Sequence, residues 1–143
     1  MCEPFRIWMA TPGPVAYQVQ SGFLVSRVIS RGAAHVVFVE QAPAALRVLR
    51  ANVAALGAEA RCEVVRTDAL RYAAGLASRE FGLALADPPY GTGAAAALAT
   101  RFVEVPYAEW LCIEHSRDDR LPDLPGADTR RYGDTFLTFV PRP

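Results

Sequence analysis

The chain contains no lysine, so all 15 of its basic residues are arginine, and 15 acidic residues balance them. A formal charge of zero excludes the global positive field of a strongly basic nucleic-acid binder; any polyanion contact must come from local arginine clusters. Arginine suits bidentate phosphate contacts, although its exclusive use reads first as the mark of a GC-rich genome. Cysteine is sparse. Cys2, Cys62 and Cys112 form an odd set without a C-x-x-C pair, and only two histidines, His35 and His115, accompany them. Neither a disulfide framework nor a zinc centre is supported, and no metal ligand is assigned. Long hydrophobic runs are missing too: 52% of the residues are hydrophobic, yet no uninterrupted apolar stretch approaches the roughly 20 residues of a membrane span. The N-terminal MCEPFRIWMATPGP lacks the basic-then-apolar order of a secretory signal, so a cytoplasmic protein without a membrane partner is expected.

What is present fits one domain of 143 residues with a real core. Val36-Val37-Phe38-Val39-Glu40 is continuously apolar and rich in β-branched residues, the pattern of a parallel strand buried on both faces. A helix should follow. Pro43 suits its first turn, Leu46, Leu49, Val53 and Leu56 recur at helical spacing, and Gly57 sits where a C-terminal cap belongs. Cys62 to Arg66 then reads as a strand, Ala69 to Ser78 as a helix, and Gly82 to Ala86 as another buried strand. Gly93 to Phe102 reads as helix, Trp110 to Glu114 as strand, and Thr129 to Val140 as a hairpin turning near Gly133-Asp134. The alternation predicts an α/β protein with a mostly parallel sheet and a late antiparallel pair. Trp8 and Trp110 are expected in the core or at its edge.

Ligands of such sheets bind beyond the carboxyl ends of the strands, where Glu40, Asp68 and Asp87 fall. Glu40 lies eighteen residues beyond Gly22, near the spacing at which an acid accepts the hydroxyls of a ribose. Asp68 could accept from an adenine amino group or cap the next helix. Asp87-Pro88-Pro89-Tyr90 has a chemical logic if the substrate is an exocyclic amine on a planar ring, whose delocalised lone pair makes it a poor nucleophile. Asp87 and the Pro88 carbonyl could accept its two N–H bonds, the prolines remove backbone freedom, and Tyr90 offers a stacking face. A proline-rich turn is the plain alternative. His35 reads as surface or cap, His115 as either packing beneath the site floor or substrate contact, and Arg130 and Arg131 as phosphate contacts or a solvated hairpin.

An acid after the second strand, an acid after the third and D-P-P-Y after the fourth resemble class I S-adenosylmethionine-dependent amino-methyltransferases with a Rossmann-like fold. Ser30-Arg31-Gly32-Ala33, Phe38-Val39-Glu40, Arg50-Ala51-Asn52, Asp87 to Tyr90, Glu114-His115 and Arg131-Tyr132-Gly133-Asp134-Thr135 follow the order of the RsmD-type 16S ribosomal RNA guanine-N2 methyltransferases. The resemblance runs from about Ser21 to Val140. It implies S-adenosylmethionine as cofactor, held by Gly22, Glu40, Asp68 and Ala69. It implies a catalytic set of Asp87, Pro88, Pro89 and Tyr90, and a monomer whose partner is 16S ribosomal RNA in the small subunit. Residues 21–143 would form the methyltransferase-like domain and 1–20 an atypical segment. The family's glycine-rich turn after the first strand keeps only Gly22, since Gln20 and Val25 stand where glycines let the backbone approach the cofactor. Residues 1 to about 20 read either as a displaced start or reading-frame error, with the family pattern resuming at Ser21-Gly22, or as divergence in which PVAYQVQ forms an edge-like first strand. Two other functional readings stay open: a non-catalytic remnant that folds partially or binds RNA, and an amino-methyltransferase acting on DNA adenine or another amine.

Overall fold

The computed structural model describes residues 6–10 and 30–143, with the side chains of 30–143. Seven strands form one sheet in the order β3-β2-β1-β4-β5-β7-β6. They are β1 (Arg6–Ala10), β2 (His35–Glu40), β3 (Cys62–Arg66), β4 (Phe81–Ala86), β5 (Ala108–Ser116), β6 (Asp128–Tyr132) and β7 (Thr135–Pro141). The first five run parallel, while β7 pairs antiparallel with both β5 and β6. Among the described residues three helices lie against the sheet: α1 (Pro43–Ala55), α2 (Ala69–Ala74) and α3 (Ala94–Glu104). Among the described residues no helix is long and apolar enough to cross a membrane.

The β2 run is apolar throughout because both of its faces are covered. Val36 and Phe38 join Ala45, Leu49 and Val53 of α1 on one face. Val37 and Val39 pack on the other face with Ala73 of α2, Leu98 and Phe102 of α3, and Ala84, Leu111 and Ile113 of the sheet. Each fully buried aliphatic or aromatic side chain contributes about 1.5–3 kcal/mol. This two-sided burial is what fixes the strand ends, and the acids that follow them, on one edge of the domain.

The α1 boundaries follow from the residues expected to set them. Pro43 occupies the first turn, and the helix closes in a Schellman motif. The Gly57 N–H donates to Ala54 O at 3.0 Å and the Ala58 N–H to Val53 O at 3.0 Å, with Gly57 at φ 59°. Leu56, counted with the buried stripe in the sequence pattern, is the C-cap residue and stands 48% exposed. The helix expected from Ala69 to Ser78 ends at Ala74. Arg101 of α3 reaches across and donates to Ala73 O, Ala74 O and Leu76 O, all at 3.1 Å, so the turn beyond the helix is held from outside. The hairpin turns on Gly133 and Asp134 as expected, with Gly133 at φ 62°.

The strand between β2 and β4 is Arg6–Ala10, at the centre of the sheet and paired on both sides. PVAYQVQ, residues 14–20, lies outside the described residues. Trp110, expected in the core or at its edge, is 51% exposed. It opposes Leu83 on β4, on the face where α1 covers β2 and β3, strands that lie farther along the sheet.

Candidate active site

The sheet order reverses between β1 and β4, and in doubly wound sheets the crevice at such a switch, beyond the carboxyl ends, receives the ligand. A pocket lies at this end. Glu40 and Gln41 line it from the end of β2, Thr67, Asp68 and Ala69 from the end of β3, Pro88 and Pro89 from beyond β4. Val39, Ala42, Leu70, Ala94 and Leu98 supply an apolar lining. The chain therefore brings together four of the cofactor and catalytic candidates besides Glu40: Asp68, Ala69, Pro88 and Pro89. Gly22, with Gln20 and Val25, lies outside the described residues.

Glu40 is buried, at 6% exposure. Its Oε1 accepts the Gln41 and Ala42 N–H groups, both at 2.8 Å, which locks the carboxylate at the pocket wall. Asp68 caps α2, with Oδ1 accepting the Arg71 N–H at 3.0 Å, and still lines the pocket. The capping alternative is thus realised, and it holds this carboxylate at the rim.

Asp87 follows β4 directly and is half-buried. Burial first, and then the nearby Glu114 carboxylate, push its carboxyl up to about 7. Pro88 is buried, whereas Pro89 and Tyr90 reach the surface. The Tyr90 hydroxyl donates to Glu114 Oε1 at 2.7 Å and lies 3.1 Å from Thr135 Oγ1. With its one proton committed to Glu114, the phenol oxygen accepts from the threonine. Desolvation, opposed by the Thr135 bond and reinforced by Glu114 and Asp87, holds this phenol above its ordinary value, so it remains a donor at neutral pH. The next residue, Gly91, sits at φ 70° and donates its N–H to Asp119 Oδ1 at 3.0 Å. The Ser116 N–H and Oγ hold the other Asp119 oxygen at 2.9 and 2.8 Å. These bonds, the Ser116 N–H foremost, keep the Asp119 carboxyl below the usual range.

Sequence reasoning missed Thr135 and Asp119 as partners of this loop. Asp119 sits in Arg117-Asp118-Asp119-Arg120, which reads as a solvated charge run; only its spacing from Ser116 hinted at a turn. Packing decides the open case of His115. Its Nδ1 lies 3.0 Å from Ser116 O and its Nε2 2.7 Å from Thr138 Oγ1, and the ring stacks on Phe136. A carbonyl only accepts, so Nδ1 carries a proton, and both nitrogens are spent inside the fold. His35 lies 3.7 Å from Glu63 on the surface. Arg130 pairs with Asp128 at 2.9 Å, and Arg131 donates to Gly133 O at 2.8 Å, both on an exposed edge strand.

The strand order, the antiparallel β7 beside β5, and acids at the ends of β2, β3 and β4 define a Rossmann-like methyltransferase fold. Residues 20–141 match the family described as Conserved hypothetical protein 95, the RsmD family, and the chain belongs to it. The chain is 32% identical over 111 residues to Bacillus subtilis "Putative rRNA methyltransferase YlbH", a match covering 74% of this chain and 60% of that protein. It thus spans about three fifths of that relative's length. "Putative methyltransferase yhhF" from Escherichia coli superimposes with a TM-score of 0.75 at 17% identity, covering 97% of this chain and 76% of that one. The M. capricolum TrmK structure, in complex with S-adenosyl-homocysteine, superimposes with a TM-score of 0.66 at 7% identity, covering 96% and 62% respectively. At such identities these structures show the fold alone.

Proposed function

We propose that the protein is a cytoplasmic, monomeric S-adenosylmethionine-dependent methyltransferase that modifies the exocyclic N2 amine of a guanine in 16S ribosomal RNA of the small subunit. The observation that supports this most is the placement of D-P-P-Y: a half-buried Asp87 at the carboxyl end of β4, directly before Pro88 and Pro89, which line a pocket together with Glu40 and Asp68, while Asp87 and Tyr90 themselves are not part of its lining.

The pocket's chemistry suits the cofactor. Glu40, oriented by two backbone donors, would accept the ribose hydroxyls, and charge-assisted bonds of this kind contribute about 1.5–3 kcal/mol. Ala42, Ala69, Leu70 and Pro89 form an apolar slot for a flat ring, with Asp68 at the rim for its amino group. When bound, S-adenosylmethionine supplies an electrophilic sulfonium methyl. The protein's part is alignment: Asp87 and the Pro88 carbonyl accept the two N–H bonds of the target amine, which leaves its lone pair facing the methyl group. Tyr90 offers a ring face, and stacking is worth about 1–3 kcal/mol per base. Holding amine and methyl in near-attack geometry contributes several kcal/mol without a strong base. Within the family resemblance, the ribosomal substrate is favoured over DNA by the Ser30 to Ala33 segment and by Tyr132 to Thr135, the hairpin whose threonine holds Tyr90.

Calorimetric titration with S-adenosylmethionine, followed by methyl-transfer assays on small ribosomal subunits, naked ribosomal RNA and DNA, tests this. Micromolar cofactor binding and transfer to the ribosomal substrate are expected. Transfer to DNA alone would overturn the ribosomal assignment, and no binding by a folded chain would favour the non-catalytic remnant.

A further inference from the structure

Resting on the methyltransferase reading above, we infer that Glu114 is a positioning residue for the transfer: together with Thr135 it fixes the ring of Tyr90, and its charge faces Asp87. Tyr90 is 45% exposed, and an exposed tyrosine side chain is free to turn about two torsions. Here its hydroxyl is held at two points, by Glu114 on β5 at 2.7 Å and by Thr135 on β7 at 3.1 Å, while the ring stays open to solvent. The next peptide is held as well, through Gly91 and Asp119. The loop after β4 is therefore clamped by β5, β7 and the segment between β5 and β6. Glu114 and Thr135 share one face of the sheet, because Glu114 pairs with Leu137 and Ser116 with Thr135, two residues along.

An anchor for a phenol need not be charged, since a glutamine carbonyl would accept the same proton. A carboxylate here carries a cost, because it crowds a second carboxylate, that of Asp87. Among the described residues, the titratable groups that meet around Asp87 are Glu114 from β5 and Tyr90 from its own loop, with Asp119 one peptide farther on at Gly91. The Glu114 charge thus favours the protonated form of Asp87 in the unliganded protein, and ionisation of Asp87 supplies the acceptor that the target amine needs.

The test separates charge from hydrogen bond. Carbon-13 NMR of the unliganded protein follows the Asp87 carboxyl, whose midpoint should fall measurably below about 7 in Glu114→Gln while staying above the usual carboxylate range, because burial, the larger cause, remains. In methyl transfer, the same variant should move the pH–rate inflection down while KM for RNA stays within about twofold. Glu114→Ala should also raise that KM by about three- to tenfold, the size of one hydrogen bond, as should Thr135→Val, with Thr135→Ser restoring it. An unmoved Asp87 midpoint in Glu114→Gln, or an unchanged KM in both Glu114→Ala and Thr135→Val, would overturn the inference. Absence of transfer by the unmodified chain would instead overturn the methyltransferase reading and the transfer role with it, while the NMR titration still decides whether Glu114 and Asp87 are coupled.

Discussion

At Asp87, protonation and stability are linked. Its carboxyl titrates at about 7 in the folded protein and near 4 in the unfolded chain. Between those values the folded state retains a proton that the unfolded state has lost, so stability falls as pH rises from about 4 to about 7 and is level above that. Partial exposure to water keeps the effect modest. Asp87→Asn should remove this segment of the profile, which thermal melts at a series of pH values will report; an unchanged slope would mean that Asp87 is ionised throughout. The same variant should bind S-adenosylmethionine normally and lose at least about a hundredfold in methyl transfer, the penalty for misaligning reacting groups. The place of this residue at the end of a strand was legible in the sequence, because an apolar run stops there at an acid followed by two prolines. Its raised pKa was not legible, because Glu114 lies 27 positions away in the chain and comes near only when β5 pairs with β4.

Elements end here for two different physical reasons, and the difference is measurable. The α1 C-terminus is built from local chemistry: Gly57 adopts a positive φ that an L side chain resists, with open space around the missing Cβ. Gly57→Ala should cost about 1 kcal/mol from backbone strain alone. The α2 C-terminus depends on a distant residue. Arg101→Ala would strip hydrogen bonds from three carbonyls and should cost about 1–3 kcal/mol in a urea melt. If Arg101→Ala were neutral, solvent would already be serving those carbonyls. Accordingly the sequence located the end of α1 to within a residue or two and overran the end of α2, since no pattern within residues 69 to 78 reports a guanidinium arriving from α3.

At the scale of the molecule, β1 is the strand on which the sheet depends, because among the described strands it is the one hydrogen-bonded to both β2 and β4, joining the β2–β3 half of the ladder to the β4–β5–β7–β6 half. Trp8→Pro removes a ladder donor at the centre of the sheet and should abolish cooperative unfolding by circular dichroism. Retention of a sharp transition would show that the two halves hold together without β1. A strand of only five residues, Arg-Ile-Trp-Met-Ala, gives a weak signal in sequence, and its position became evident only through parallel partners on both sides. By itself the sequence determined the α/β alternation, the buried character of β2, the β6–β7 hairpin and the three strand-end acids. Those features rest on short-range periodicity, turn chemistry and burial of contiguous apolar residues. Tertiary structure alone decided the central strand, the exposure of Trp110, the inward-turned His115 and the clamp of Glu114, Thr135 and Asp119 on the loop after β4. Each of these joins groups far apart along the chain, and only strand pairing and helix packing bring such groups within hydrogen-bonding distance.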